Sequence, residues 1–367
     1  MVWVEHIREY IMNVKDVQPG NGYRIPAEAY FDEDHFQREQ ECLFPAVWNF
    51  IGMAAALADK GAYMTIRIGR YPILVIRGSD GILRGFHNIC RHRGAQILDG
   101  EGACTKVICP YHRWQYSLEG ELENVPQGDT QIPLLDKSQW GLMEVPTAEW
   151  MGMVFVNPNA KAGPLDSWLG QLADYLTNYD FENLAELAHE EYIFEANWKL
   201  YIENHVDWYH LWYVHAKTLS GLDHPAGYSH QLGAHWVSFE PYKDPANQVA
   251  PFQPIPWLND ENRLNGAHLM FPNLALFSGA SWFGIGNLTP IAPDRTEMSF
   301  RLLALPDQDP SDFLAGFHQV TQVEDAGVAK RIQATVSSPA FNVGPLTNDH
   351  ELAITNFHDA YLQYLQR

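Results

Sequence analysis

Two stretches of this sequence carry side chains whose types and spacing suit metal binding. The first is Cys90-Arg91-His92, followed after sixteen residues by Cys109-Pro110-Tyr111-His112. Two thiolates and two imidazoles can hold zinc as a Cys2His2 site. They can also hold a [2Fe–2S] cluster, with both cysteines on one iron and both histidines on the other. Zinc ligands more often pair as Cys-x2-4-Cys and His-x3-5-His. Here each short loop offers one Cys and one His, so two turns can grip a cluster from opposite sides. Arg93-Gly94 follows the first histidine, Pro110 follows the second cysteine, and Trp114 and Tyr116 lie just beyond. Cys104 lies off the ligand pattern and Cys42 lies well upstream. Both read as ordinary buried thiols.

The second stretch runs from Asn197 to His215 and contains Asp207-x2-His210-x4-His215. The segment reads as one long helix. Five residues of regular α-helix turn through about 500°, which leaves the two histidines about 140° out of phase. A π-like widening or the end of the helix must bring them together. Two histidines and one carboxylate form the facial triad of non-haem Fe(II) oxygenases, with positions left open for O2.

The elements that must position these residues follow from the pattern on either side. Ala27 to Phe44 reads as a short helix leading into the first core strand. From about Trp48 to Pro158 short strands alternate with turns: Tyr63 to Ile68, Ile73 to Ile76 and Ile82 to Asn88, the last after the hairpin turn Gly78-Ser79-Asp80-Gly81. Met151 to Val156 closes this small all-β region. Beyond it, Pro164 to Leu176 has helical spacing, with Leu165, Trp168, Leu169, Leu172 and Leu176 on one face. Strands dominate from about Trp236 to Leu305, and helices from Pro310 to Thr335 and Asp349 to Gln366 complete the pattern. The expected division is a lead-in over 1–44 that packs with the catalytic domain, a β domain over 45–160 and a catalytic domain over 161–367. The expected fold class is α+β, a small all-β domain plus a larger domain with an antiparallel sheet flanked by helices.

Composition limits the partners. A net charge of -21 disfavours phosphate backbones and anionic membranes, so nucleic acid is not an expected partner. Hydrophobic residues at 46% and charged residues at 19% mark a folded globular chain. No stretch approaches the roughly 20 apolar residues of a membrane span, and no secretory signal is visible. Four cysteines in 367 residues are not a disulfide scaffold. The expected location is the cytoplasm.

The first motif resembles the Rieske domain of aromatic-ring-hydroxylating and related oxygenases, in which Cys-x-His-Arg-Gly and Cys-Pro-Tyr-His recur. The second resembles the iron-binding helix of the same family, through Asn197-Trp198-Lys199, Glu203-Asn204, Asp207, Tyr209-His210 and His215. A third run, Glu324-Asp325 through Gln333, Ser338-Pro339 and Gly344-Pro345-Leu346, resembles the family's segment that carries the ligating Asp. It departs from the commonest form at Ala334-Thr335, where many members have Arg-Gly. The resemblance covers nearly the whole chain from Tyr30.

The resemblance implies a catalytic α-subunit. Cys90, His92, Cys109 and His112 would hold the [2Fe–2S] Rieske cluster. His210, His215 and Asp325 would hold the mononuclear Fe(II), with Asp349 as the rival acid. Asp207 would bridge the iron site to a Rieske histidine, Glu203 would support Asp207 by hydrogen bonding, and Asn204 would belong to the same catalytic group. His205 fits no ligand position and reads as lining. An aromatic-rich pocket is expected, with Trp208, Trp212, Tyr213, Trp236, Trp257, Trp282 and Phe283 as its candidates.

The implied partners are O2, a small organic substrate and a separate NAD(P)H-dependent reductase, with or without a ferredoxin. The implied assembly is a homotrimer. The leading expectation is ring mono- or dihydroxylation of an aromatic compound. The alternative is hydroxylation or oxidative demethylation of a quaternary ammonium or N/O-methyl substrate. A different class of function would be a Rieske electron-transfer protein without oxygenase activity.

Overall fold

A computed structural model describes residues 22, 24–219, 229–240, 251–258, 266–341, 344–347 and 349–365. The chain forms two compact units, one of residues 38–167 and one of 1–37 with 168–367.

The unit of 38–167 is built from short antiparallel strands. A five-stranded sheet has the order β5-β2-β3-β4-β9, from β2 (Ala62–Ile68), β3 (Tyr71–Arg77), β4 (Leu83–His87), β5 (Glu101–Ala103) and β9 (Glu144–Val145). A three-stranded sheet joins β1 (Asn49–Met53), β11 (Met153–Val156) and β10 (Thr147–Trp150) in that order. A small sheet of β6 (Val107–Ile108), β7 (Gln115–Tyr116) and β8 (Leu122–Asn124) carries the second Cys/His loop. The apolar run Ile73–Ile76 is fully buried, as expected of a central strand flanked on both sides. Cys90 and Cys109 belong to the core cluster with Leu74, Phe86, Val107 and Trp114. The hairpin is tighter than the sequence suggests. Tyr71 and Pro72 are already in β3, paired with Ile68 and Arg67, so only Gly69-Arg70 turns.

The larger unit is organised by a seven-stranded antiparallel sheet of order β12-β18-β17-β16-β15-β14-β13. Its strands are β12 (Ala185–Phe194), β13 (Ser229–Leu232), β14 (Trp236–Glu240), β15 (Gly266–Met270), β16 (Leu274–Ser278), β17 (Trp282–Ala292) and β18 (Arg295–Ala304). Helices α1 (Trp198–Val206), α2 (Leu211–Val214), α3 (Ser311–His318), α4 (Ala326–Val336) and α5 (Leu352–Leu365) accompany it. The α+β expectation therefore holds, with an antiparallel sheet and helices in this unit.

Two helical expectations are corrected. Asn197 to His215 is not one helix: α1 ends at Val206, Asp207 is extended (φ -90°, ψ 122°), and α2 starts after His210. The run from Pro310 to Thr335 is continuous but contains a π-helix, Gln319–Asp325, between α3 and α4. Of the two devices expected on the histidine segment, a widening or a helix end, the helix end occurs there, and a widening is found on the acid segment.

Candidate metal centres

The first site begins with two turns of the same plan. The amide of Gly94 donates to the carbonyl of Cys90 (3.0 Å), and that of Arg113 donates to Cys109 (3.1 Å). The Cys90 amide donates to Ala95 (2.8 Å) and the Cys109 amide to Trp114 (2.9 Å). Each turn closes on a left-handed residue, Gly94 at φ 74° and Arg113 at φ 60°. Glycine takes that conformation freely, whereas arginine does not. Both thiols point into the core, while His92 is exposed and His112 half-buried. The imidazoles meet edge to face with centroids 4.6 Å apart, and His92 stacks on Trp114 at 4.9 Å.

This donor set fits a cluster with sulfur ligands inside and nitrogen ligands outside. Burial pushes the Cys109 thiol pKa up, with Cys90 adding to the effect, so thiolates here need a metal to neutralise them. The Tyr116 hydroxyl accepts from the Arg91 amide (3.1 Å) and lies 3.3 Å from Cys90 Sγ, where it can donate to a thiolate. Hydrogen bonds to cluster sulfurs tune the reduction potential. Cys42 and Cys104 are half-buried rather than buried.

The second site is assembled from three separate segments. Asn197 caps α1, its side chain accepting from the Lys199 amide (3.0 Å) and donating to Pro293 (2.6 Å). Gln333 on α4 accepts the Asn197 amide (2.9 Å) and donates to the Tyr30 carbonyl (3.0 Å), tying α4 to the start of α1. After α1, Asp207 Oδ1 accepts the Tyr209 amide (2.6 Å), and the Trp208 amide donates to His350 (3.1 Å). These bonds hold the break. His210 and His215 then stand at the two ends of α2.

The helix end resolves the phase problem: His215, at φ -102° and ψ 24°, has left helical geometry at the end of α2, and its Nε2 lies 3.2 Å from that of His210. Asp325 Oδ1 lies 2.8 Å from His215 Nε2 and 3.5 Å from His210 Nε2. His210, His215 and Asp325 form the group of three that could hold a metal among the described residues. Adjacent ligands about 2.1 Å from one metal would be about 3.0 Å apart in octahedral geometry, so these separations fit. Asp325 is buried, and its Oδ1 has no hydrogen-bond partner. Burial resists charge on His210, yet Asp207 and Asp325 outweigh it and raise its pKa to about 9. The group therefore attracts positive charge, as a cation site must.

Of the other expected site residues, Asp207 Oδ2 is 3.4 Å from His210 Nδ1. Glu203 is a correction. It is buried and bonded to Tyr30 (2.5 Å) and His358 Nε2 (2.9 Å), not to Asp207. The extended backbone at Asp207 carries the two acids apart, whereas an unbroken helix would stack them. Asn204 is half-buried, and its carbonyl accepts the Asp207 amide (3.2 Å). Asp349 is exposed and outside the metal group.

His205 Nε2 donates to the His268 carbonyl (2.9 Å), and its ring meets Phe277 at 4.9 Å. Burial lowers its pKa to about 4, so it is neutral near pH 7. From Phe277 a set of half-buried rings continues through Phe317 (5.7 Å), Phe313 and Trp282. Gly284 permits this approach, because a Cβ there would meet Phe300 at 3.0 Å and Trp282 at 3.1 Å. Of the seven aromatic candidates, only Trp282 belongs to this set. Phe283 is in the core, Trp236 is buried, and Tyr213 is 69% exposed. The sequence reading missed Phe277, Phe313 and Phe317. The last two are four apart on α3 and carry a visible helical signal.

The Rieske [2Fe-2S] domain profile matches residues 47–144, and that of the ring hydroxylating alpha subunit (catalytic domain) matches 181–367. The chain belongs to the Rieske non-haem iron oxygenases, as their α-subunit. It is a mono- or dioxygenase whose cofactors are a Rieske cluster and a mononuclear iron. The glycine betaine monooxygenase oxygenase subunit of Chromohalobacter salexigens is 28% identical, covering 92% of this chain and 85% of the relative. The α-subunit of 2-aminobenzenesulfonate 2,3-dioxygenase from an Alcaligenes species is 31% identical, covering 75% and 73%. A solved quaternary ammonium Rieske monooxygenase, whose structure concerns carnitine oxidation and inter-subunit electron transfer, matches with a TM-score of 0.77 at 22% identity. It covers 95% of this chain and 96% of that one, a likeness of fold. Among the described residues, no helix is long and apolar enough to cross a membrane.

Proposed function

We propose that this chain is the terminal oxygenase of a system acting on a small quaternary ammonium compound. This reading replaces aromatic ring hydroxylation, the leading expectation from sequence. The observation that carries it is the set of half-buried rings at Phe277, Phe313, Phe317 and Trp282, which begins at a neutral His205 close enough to feel the charges of Asp325 and His210. Aromatic faces attract an ammonium by cation–π contact, and a neutral imidazole places no opposing charge beside it. The glycine betaine relative supports the same reading.

In this proposal His210, His215 and Asp325 hold the iron, and Cys90, His92, Cys109 and His112 hold the cluster. The bound iron supplies O2 activation. The bound cluster would relay electrons from a separate reductase. The rings hold the substrate's cationic head and exclude water around it. Asp207 keeps the His210 ring oriented. In a head-to-tail homotrimer, the same carboxylate would also accept from His112 of a neighbouring subunit.

Substrate-dependent O2 uptake with a surrogate reductase tests the proposal. Glycine betaine or L-carnitine should stimulate uptake, and 2-aminobenzenesulfonate should not. Stimulation by the aromatic sulfonate alone would restore the ring-hydroxylating reading.

A further inference from the structure

We infer that Glu324 is a positioning residue for the iron ligand His215. The inference rests on the reading of His210, His215 and Asp325 as the metal centre. Glu324 Oε2 lies 2.6 Å from His215 Nδ1, while Asp325 Oδ1 lies 2.8 Å from Nε2 of the same ring. Two consecutive acids of the π-helix thus address opposite nitrogens of one imidazole. A carboxylate on Nδ1 accepts its proton, which fixes the tautomer and leaves the Nε2 lone pair for the metal. Glu324 cannot serve as a ligand in this arrangement, because the ring stands between it and the other two donors.

The carboxylate is itself held. The Thr218 hydroxyl donates to Oε2 (2.6 Å) and Gln319 Nε2 donates to Oε1 (3.2 Å). These contacts, with that to His215, engage both oxygens of the carboxylate. Such restraint is what a half-buried glutamate needs to orient a ring rather than swing with the solvent. The two histidines are therefore oriented unequally. His210 has Asp207 at 3.4 Å, and one oxygen of Asp207 is already occupied by the Tyr209 amide. His215 has a closer, doubly supported partner.

The test measures metal binding rather than turnover. Metal-depleted full-length protein is titrated with Co(II), and the visible d–d absorption is followed in wild type, Glu324→Ala, Glu324→Gln, Thr218→Val and His215→Ala. Glu324→Ala should weaken binding roughly 10- to 100-fold. Glu324→Gln keeps an oxygen that can accept from Nδ1–H and should recover most of the loss. Thr218→Val leaves His215 untouched and loosens only the carboxylate, so a smaller weakening is expected. It also keeps the inference testable if Glu324→Ala does not fold. If His215→Ala binds as wild type does, the metal-centre reading itself fails. If His215→Ala loses binding while Glu324→Ala and Thr218→Val both match wild type, Glu324 has no positioning role. A Glu324→Gln loss as large as that of Glu324→Ala would likewise overturn the inference, since acceptance from Nδ1–H would then not be the operative feature.

Discussion

The two candidate metal sites are built in opposite ways. The candidate cluster ligands lie within Cys90–His112, on two turns that repeat one hydrogen-bond plan. The candidate iron site joins two histidines at the ends of α2 to an acid on a π-helix more than a hundred residues away. The first is local, and neighbouring residues fix its geometry. The second depends on the phase of three helical segments, each set by packing in the larger unit. A local site should tolerate change elsewhere in the chain, whereas a distributed one should be sensitive to it.

The largest expected effect comes from exchanging lesions between the sites. Asp325→Ala should abolish turnover and strip the mononuclear iron while sparing the Rieske EPR signal, and Cys109→Ser should abolish turnover and the EPR signal while leaving the mononuclear iron in place. Loss of the cluster signal in Asp325→Ala would show that the two sites are not separately built. Asp207→Ala comes next. Both metals should be retained, measured as about three irons per chain, yet nearly all activity should disappear. In the proposed trimer, co-assembly of Cys109→Ser with His210→Ala should restore part of the activity that each variant lacks alone. Co-assembled mixtures that stay inactive would place electron transfer within one chain.

Acid should separate the units more gently. Burial holds the pKa of His268 at about 3 and that of His205 at about 4, both in the larger unit. The unfolded chain protonates these positions below about pH 6.5. Stability from keeping them neutral is complete above that pH and is lost on acidification toward the folded values, by up to about 1.4 kcal/mol per group per pH unit. Tryptophan fluorescence should therefore report a lower melting temperature at pH 5.5 than at pH 7, with a shallower dependence in His268→Gln. An equal slope in that variant would remove His268 from the account.

The smallest effect compares the twin turns. Gly94→Ala should destabilise by about 1–2 kcal/mol through backbone strain alone, since a Cβ there has nothing within 4 Å. Arg113→Gly should stabilise by about 1 kcal/mol. Thermal melts that move in the same direction for both would show that the turns are not equivalent.

The contrast also explains what could be read from sequence. Cys-x-His and Cys-x2-His are spacings, and the structure places both thiols in the core with the rings outside. At the second site, Asp207, His210 and His215 were visible as residue types, but the break at Asp207 was not. Its supports include the His350 carbonyl, over a hundred positions downstream. The same break moved Glu203 away from Asp207 and toward Tyr30 and His358, partners that no spacing rule connects. The aromatic lining was misjudged for a related reason. Trp236 and Phe283 are as aromatic as Phe277 and Trp282, and only the strand register decides which of these rings face the helices.

The π-helix also makes the chemistry at the metal a matter of counting. A wider turn accommodates one residue more than an α-turn would. Tightening Gln319–Asp325 to α geometry with no residue removed would leave one residue in excess and rotate everything before or after it by about 100°. Glu324 and Asp325 would then no longer share one imidazole, and the longer acid could swing toward the place of the shorter. Which carboxylate meets the metal is thus encoded as much by the length of this segment as by the letters in it.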